Sequence, residues 1–284
     1  MRAYVPEYDL VAPASLKEAL RLVADQARPM AGGTDLMVLF EAGTLPYRRL
    51  VSLWRIPELR GISTGETHMT LGALTTYTEI QQSGIMQDEF PLLVKAASWT
   101  GAVATQNRGT LAGNIANASP AADSPPALLV YDAEIELLSS SGSRWVPYAG
   151  FHTGYKTSVM QPDEIIGHIR LPRTTAGCVQ YLRKVGTRRA QAIAKVALAG
   201  MAKTSGAVVE RIRIALASVA PMPIRCAQTE TVLAGRTIDR AAIEKAMATI
   251  ALEIAPISDV RSTQDYRRRV TVNLLQEFLE TLLA

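Results

Sequence analysis

Cysteine is nearly absent from this chain. Cys178 and Cys226 stand alone among 284 residues, too few for a secreted disulfide scaffold and wrongly spaced for a thiolate metal site. Histidine is almost as scarce. His68, His152 and His168 cluster neither with one another nor with carboxylates at ligand spacing, so each reads as a surface or packing residue. No window approaches the roughly 18 apolar residues that a membrane span needs. The start, Met1–Asp9, has no charged segment followed by an apolar run, so no signal peptide is expected. These absences fit a reducing, cytoplasmic setting. Excess charge is also missing: 30 Lys and Arg against 26 Asp and Glu leave +4, too mild and too evenly spread to mark nucleic acid as a partner. The densest basic runs are Arg183-Lys184 through Arg188-Arg189, and Arg267-Arg268-Arg269. Neither is interleaved with aromatics as a single-strand groove would be, and both read as solvated faces or a protein interface.

What is present describes a globular chain. Hydrophobic residues make up 48% and charged residues 20%, enough for a sizeable core, and the length allows two domains. Tyr8–Pro13 reads as a strand. Ser15 and Glu18 have capping-box spacing at the head of a helix. Ala27–Ala31 is a strand that runs into Gly32-Gly33-Thr34-Asp35, a second helix begins at Asp35, and Arg49–Leu53 is a third strand. That β-α-β-α-β order predicts a small sheet with its ligand edge at the Gly32-Gly33 turn. Consecutive N–H groups there can form an anion nest, reinforced by the helix N-terminus behind it. The turn is neither Gly-x-Gly-x-x-Gly nor a Walker loop.

Beyond Arg60, hairpins are expected at residues 61–73 and 133–147, helices from Thr76 or Thr78, from Pro91 and over residues 125–130, and a strand over residues 164–172. Pro172–Gly177 marks a boundary. After it, Val179–Val185, Ala192–Lys203 and Val208–Val219 predict a three-stranded antiparallel meander, and Arg225–Ala234, Asp239–Ala255 and Thr263–Leu283 predict helices. Between the two predicted hairpins lies the least core-like stretch, Thr105–Asp123. Its small residues let a backbone approach something large, and Thr110, Asn114, Asn117, Ser119 and Asp123 offer polar groups. Such a segment reads as the lining of a ligand site.

Two of these features, Ala31-Gly32-Gly33-Thr34-Asp35-Leu36 and Thr110-Leu111-Ala112-Gly113-Asn114 with Ser119-Pro120-Ala121-Ala122-Asp123, together resemble the FAD-binding (medium) subunit of the molybdenum hydroxylases, the xanthine dehydrogenase and carbon monoxide dehydrogenase family. The likeness extends to Pro162–Ile166, to Arg183–Val196 and to Pro256–Arg268, nearly the whole chain. It implies an α+β fold: two FAD-binding subdomains of the PCMH/vanillyl-alcohol-oxidase type (residues 1–58 and 59–175), then a small domain (176–284) with a three-stranded antiparallel sheet and helices. By the same resemblance, non-covalent FAD would be held at its pyrophosphate by Met30, Ala31, Gly32, Gly33, Thr34, Asp35 and Leu36. Thr110, Gly113 and Asn114 would follow the pyrophosphate and ribityl chain, and Asp123 would accept a hydrogen bond from a cofactor hydroxyl. Ile166 would touch the cofactor, and Lys184 would approach the isoalloxazine ring.

The family also implies partners: a large molybdenum-pterin subunit and a small subunit with two 2Fe–2S clusters, in a dimer of heterotrimers. This chain would pass electrons from the clusters through FAD to NAD, oxygen or a quinone, with no catalytic acid–base pair and no metal of its own. Two positions depart from the family pattern. Ala112 stands where a glycine is usual, and Gln106 where an arginine is common. Two further readings stay open: a self-contained FAD-dependent oxidase, and a scaffold subunit that has lost its flavin.

Overall fold

A computed structural model describes residues 7–283; the reading of Met1–Asp9 as no signal peptide falls mostly outside them. The first strand, β1 (Asp9–Val11), leads into α1 (Leu16–Ala24). Ser15 starts that helix by accepting from the Glu18 N–H, and the Glu18 carboxylate reaches back to the Ala14 N–H. Ala19, Leu22 and Val23 bury the inner face of α1. Next come β2 (Arg28–Met30), α2 (Leu36–Glu41) and β3 (Arg49–Ser52). The strands form a parallel sheet in the order β1-β3-β2, so the turn after β2 opens at the carboxyl edge where α/β sheets present ligands.

The second unit begins with the hairpin β4 (Ile62–Thr64) and β5 (His68–Gly72). Six short helices follow: α3 (Tyr77–Gln82), α4 (Gly84–Glu89), α5 (Pro91–Trp99), α6 (Val103–Gln106), α7 (Leu111–Asn117) and α8 (Ser124–Val130). Then come the hairpin β6 (Glu134–Ser139) and β7 (Gly142–Pro147), a smaller hairpin of β8 (His152–Gly154) and β9 (Thr157–Ser158), and β10 (Ile165–Pro172). Strand β10 inserts between the two larger hairpins, giving the antiparallel order β4-β5-β10-β6-β7. Its inward residues Ile169 and Leu171 meet Met69, Leu71, Ile135 and Leu137 in one core.

The third unit is a sheet of β11 (Val179–Val185), β12 (Val196–Ser205), β13 (Val208–Ala217) and β14 (Ile224–Arg225), covered by α9 (Ala227–Leu233), α10 (Arg240–Glu253) and α11 (Gln264–Glu280). Alternation along β12 divides its side chains. Ala199 and Met201 join the first core, whereas Val196, Leu198 and Ala202 pack under the helices in a second core. Asp239 and Thr263 cap α10 and α11 as expected, accepting from the N–H groups of Ala242 and Tyr266. Helix α11 comes so close that a Cβ at Gly200 would lie 2.5 Å from the Phe278 ring.

Several expectations need correction. The third sheet has four strands, because residues before α9 pair briefly with β13. Strand β12 starts at Val196 and not at Ala192, since Arg188 bonds the carbonyls of Ala190 and Gln191 and closes residues 186–195 into a loop. The small-residue stretch, the least core-like by sequence, contributes to the core: it holds the end of α6 and all of α7, and Leu111, Ala112 and Ile115 are buried. One member of the second basic run is not on a solvated face, although Arg269 is exposed. Arg267 is 3% exposed and donates to the carbonyls of Lys195 and Ser218 and to Asp259. The histidines also differ from one another. His152 is buried against the Ile115 carbonyl, whereas His168 lies 2.6 Å from Glu136 and His68 3.8 Å from Glu134. Among the described residues no group of three or more potential metal ligands assembles, and no helix is long and apolar enough to cross a membrane.

Candidate functional site

A cleft of about 310 Å³ lies between the first two units, a size in the range of small-molecule sites. One wall is the turn after β2, Ala31 to Leu36. The other is the start of α7, with Gly109, Thr110, Ala112, Gly113, Asn114 and Asn117. Ala73, Leu74, Tyr77, Ile165 and Ile166 line it further.

Local sequence sets the second wall. Thr76 and Glu79 form a capping box at the head of α3, which fixes the backbone of Thr75–Tyr77. That backbone then bonds α7's approach: the Tyr77 N–H donates to the Gly109 carbonyl, and the Leu111 N–H donates to that of Thr75. Thr110 caps α7 by accepting from the Gly113 N–H at 3.1 Å. Glycine is required at the junction, because a Cβ at Gly109 would come 2.9 Å from the Thr105 carbonyl and 3.1 Å from the Tyr77 ring. Ala118, at φ 51°, ends the helix in the left-handed region.

The two walls interlock at Gly32. A Cβ there would sit 1.7 Å from the Arg108 carbonyl oxygen, so only glycine lets the two segments meet. The Arg108 guanidinium continues the seam 3.8 Å above the Trp54 ring, and Arg60 packs on the same ring at 4.7 Å. Gly33 has the other glycine property, a φ of 76° that aims successive backbone groups into the turn. The helix behind the turn is only six residues long and Asp35 does not cap it, so its dipole adds less than the sequence suggested.

Of the expected residues, Ala31, Gly32, Gly33, Thr34, Asp35, Leu36, Thr110, Gly113, Asn114 and Ile166 come together as lining of this cleft. Met30 does not line it; it is paired in β2 with Ser52. Asp123 and Lys184 stand behind the lining and form an ion pair at 2.7 Å. Lys184 also donates to the Trp99 carbonyl, one residue before the cleft-lining Thr100. Burial pushes the Asp123 carboxyl up to about 6, with Lys184 opposing the rise. Sequence reasoning missed Tyr77, Thr100 and Arg28 as lining, because nothing local sets them apart from packing or surface residues. The two departures differ in place. Ala112, buried in α7, also lines the cleft, whereas Gln106 bonds the Ser98 carbonyl and the Gln81 amide away from it.

Unpaired polar atoms mark where a ligand belongs. Asn114 Oδ1, the Tyr77 hydroxyl, Asp123 Oδ1 and Ser124 Oγ are all buried without a hydrogen-bond partner. Buried polar atoms are rarely left so, and two of these residues, Asn114 and Tyr77, line the cleft itself, which calls for a polar occupant. Burial raises the Tyr77 phenol far above its ordinary range, so it remains a neutral donor. A glycine-lined turn facing a polar helix start, with unpaired groups behind, defines a protein that binds an extended phosphate-bearing cofactor between two subdomains.

Comparison with known proteins makes that class specific. Residues 6–174 match the family described as the FAD binding domain in molybdopterin dehydrogenase, and residues 181–282 match the CO dehydrogenase flavoprotein C-terminal domain. The chain belongs to the family of FAD-binding medium subunits of molybdenum hydroxylases. It is 30% identical over 277 residues to the xanthine dehydrogenase FAD-binding subunit of Escherichia coli O157:H7, covering 95% of this chain and 94% of that one. It is 32% identical over 269 residues to the glyceraldehyde dehydrogenase medium chain of Sulfolobus acidocaldarius, covering 94% and 95%. Among solved structures, the carbon monoxide dehydrogenase of Hydrogenophaga pseudoflava superposes with a TM-score of 0.92 at 30% identity, over 96% of each chain. Quinoline 2-oxidoreductase from Pseudomonas putida 86 does so with 0.90 at 26%, over 99% and 98%.

Proposed function

We propose that this chain is the electron-transfer subunit of a molybdenum hydroxylase, passing electrons from iron–sulfur clusters on a partner to NAD, oxygen or a quinone. The observation that carries the reading is the cleft itself, whose two interlocked walls leave Asn114 Oδ1 and the Tyr77 hydroxyl unpaired. FAD fits that donor and acceptor set, and when bound it exchanges electrons singly or in pairs, which lets one-electron and two-electron carriers communicate.

The chain's own residues have separate tasks in this reading. Gly32 and Gly33 present backbone N–H groups to the pyrophosphate, and Thr34, Asp35 and Leu36 continue that wall. Thr110 shapes the opposite wall by capping α7, which leaves Asn114 to meet the cofactor. Ile166, 4% exposed, supplies an apolar contact that excludes water. Lys184 holds a positive charge behind the cleft, the sign that favours an electron-rich cofactor, and Asp123 fixes where that charge stands. The chain divides into FAD-binding subdomains at about 1–58 and 59–175 and a C-terminal domain at 176–284, supported by the break between the matched segments at 174 and 181. In the assembly we propose, a molybdenum-pterin subunit and a 2Fe–2S subunit join this chain in a dimer of heterotrimers in the cytoplasm.

An absorption spectrum of the gently purified protein, with a gel of what copurifies, tests this. Flavin bands near roughly 370 and 450 nm with iron–sulfur shoulders and two further chains are expected. Flavin with no partner would replace the reading with a self-contained oxidase, and a colourless protein unable to take up FAD would replace it with a scaffold. Gly32→Ala should abolish flavin retention, since its Cβ would drive Arg108 and the cleft walls apart.

A further inference from the structure

The rim of the cleft is bridged by a short polar chain that reaches three elements. Asn117, the last residue of α7, donates through Nδ2 to the Asp35 carboxylate at 3.2 Å. These two residues line opposite walls of the cleft. Asn117 is held in turn by Lys156, whose Nζ donates to the Asn117 carbonyl at 2.9 Å and to its Oδ1 at 2.7 Å. With Oδ1 committed to an ammonium, which can only donate, the Asn117 amide must present its NH₂ to Asp35. Lys156 therefore sets the direction of the bridge.

The backbone of Lys156 makes the side chain's role conspicuous. It sits in the two-residue turn between β8 and β9 at φ 58°, a left-handed conformation that glycine or asparagine adopts more readily than lysine. Nothing in the turn itself requires a lysine. Its ammonium instead reaches the C-terminal turn of α7, where unpaired carbonyls favour a cation.

We propose that Lys156 is a positioning residue that keeps the Asn117–Asp35 bridge closed over the cleft and so retards departure of the bound dinucleotide. Lys156 does not touch the cofactor in this role; it acts through the Asn117 amide. The inference rests on the FAD-binding reading above.

FAD release from the purified complex, followed by flavin fluorescence on dilution, tests it with two variants. Lys156→Gly should release FAD about fivefold faster, because both hydrogen bonds that hold the Asn117 amide are lost. Its flavin-free thermal midpoint should hold or rise, because glycine relieves the left-handed strain. Lys156→Arg should restore slow release. Unchanged release in Lys156→Gly overturns the proposal. So does faster release that tracks a lowered midpoint, since a merely structural role predicts that pairing. An unsubstituted complex that carries no flavin would retire the cofactor reading instead, a different and separately visible failure.

Discussion

Helix α8 is tied to the C-terminal domain at both of its ends, and the two ties differ. At the N-terminal end Lys184 meets Asp123, with side chains 10% and 11% exposed. At the C-terminal end Arg225 meets Glu230, 17% and 11% exposed, and it reaches on to the Leu129 carbonyl and Asp132. Burial is therefore alike, and saturation is the difference. Glu230 accepts from Arg225 with both oxygens and from the Ile214 N–H as well, while Asp132 also accepts from Arg213. Among the described residues, Asp123 accepts only from Lys184 and leaves Oδ1 unpaired. A completed network fixes geometry. An incomplete one, placed behind the cleft, keeps an acceptor for something that is not protein.

Substitutions at the two ends should separate these roles. Arg225→Met strands a buried carboxylate and unlinks α8, and should cost about 3–5 kcal/mol in denaturant unfolding with no direct effect on flavin contacts. Asp123→Asn should cost less, about 1–3 kcal/mol, yet weaken FAD retention about tenfold in a fluorescence titration. If its flavin affinity is unchanged, the contrast between the ends collapses.

The pH dependence sharpens the same point. The Asp123 carboxyl titrates near 6 in the folded protein against an ordinary 3.8, so in that interval the native state holds a proton that the unfolded chain has released. Its contribution is fully present below 3.8 and is lost as pH rises through 6. Comparing unfolding of the unsubstituted protein with Asp123→Asn across this window should show a difference that declines by about 3 kcal/mol. The smallest effect belongs to Asp132→Asn. Its side chain is 43% exposed, and the loss should be about 0.5 kcal/mol.

How far the sequence disclosed this arrangement varied with how local each cause was. The Ser15 cap, the Gly32-Gly33 turn and the caps at Asp239 and Thr263 rest on neighbours within a few residues, and each was legible, whereas the start of α3 stayed open between Thr76 and Thr78. Helix α7 was not legible, because Gly113 and two asparagines oppose helix formation. What stabilises it is contact with Thr75 and Tyr77, far away in sequence. Arg267 was misread for a similar reason. Three consecutive arginines look like surface, and only the fold brings the Lys195 and Ser218 carbonyls to one of them. For the site, the pattern at Gly32 and Thr110 indicated both walls. The pairing of Asp123 with Lys184 across the domain boundary left no trace in either segment alone.

The fit of Gly32 against the Arg108 carbonyl also orders events during synthesis. The first wall leaves the ribosome well before Arg108 has been made, and at roughly 5–20 residues per second several seconds separate them. During that interval the glycine turn has no opposite wall, and Trp54 has Arg60 but not yet Arg108 on its ring. Lys184 emerges later still. Cofactor capture is thereby deferred until most of the chain exists, so a truncated product ending before α7 would have no cleft with which to sequester flavin.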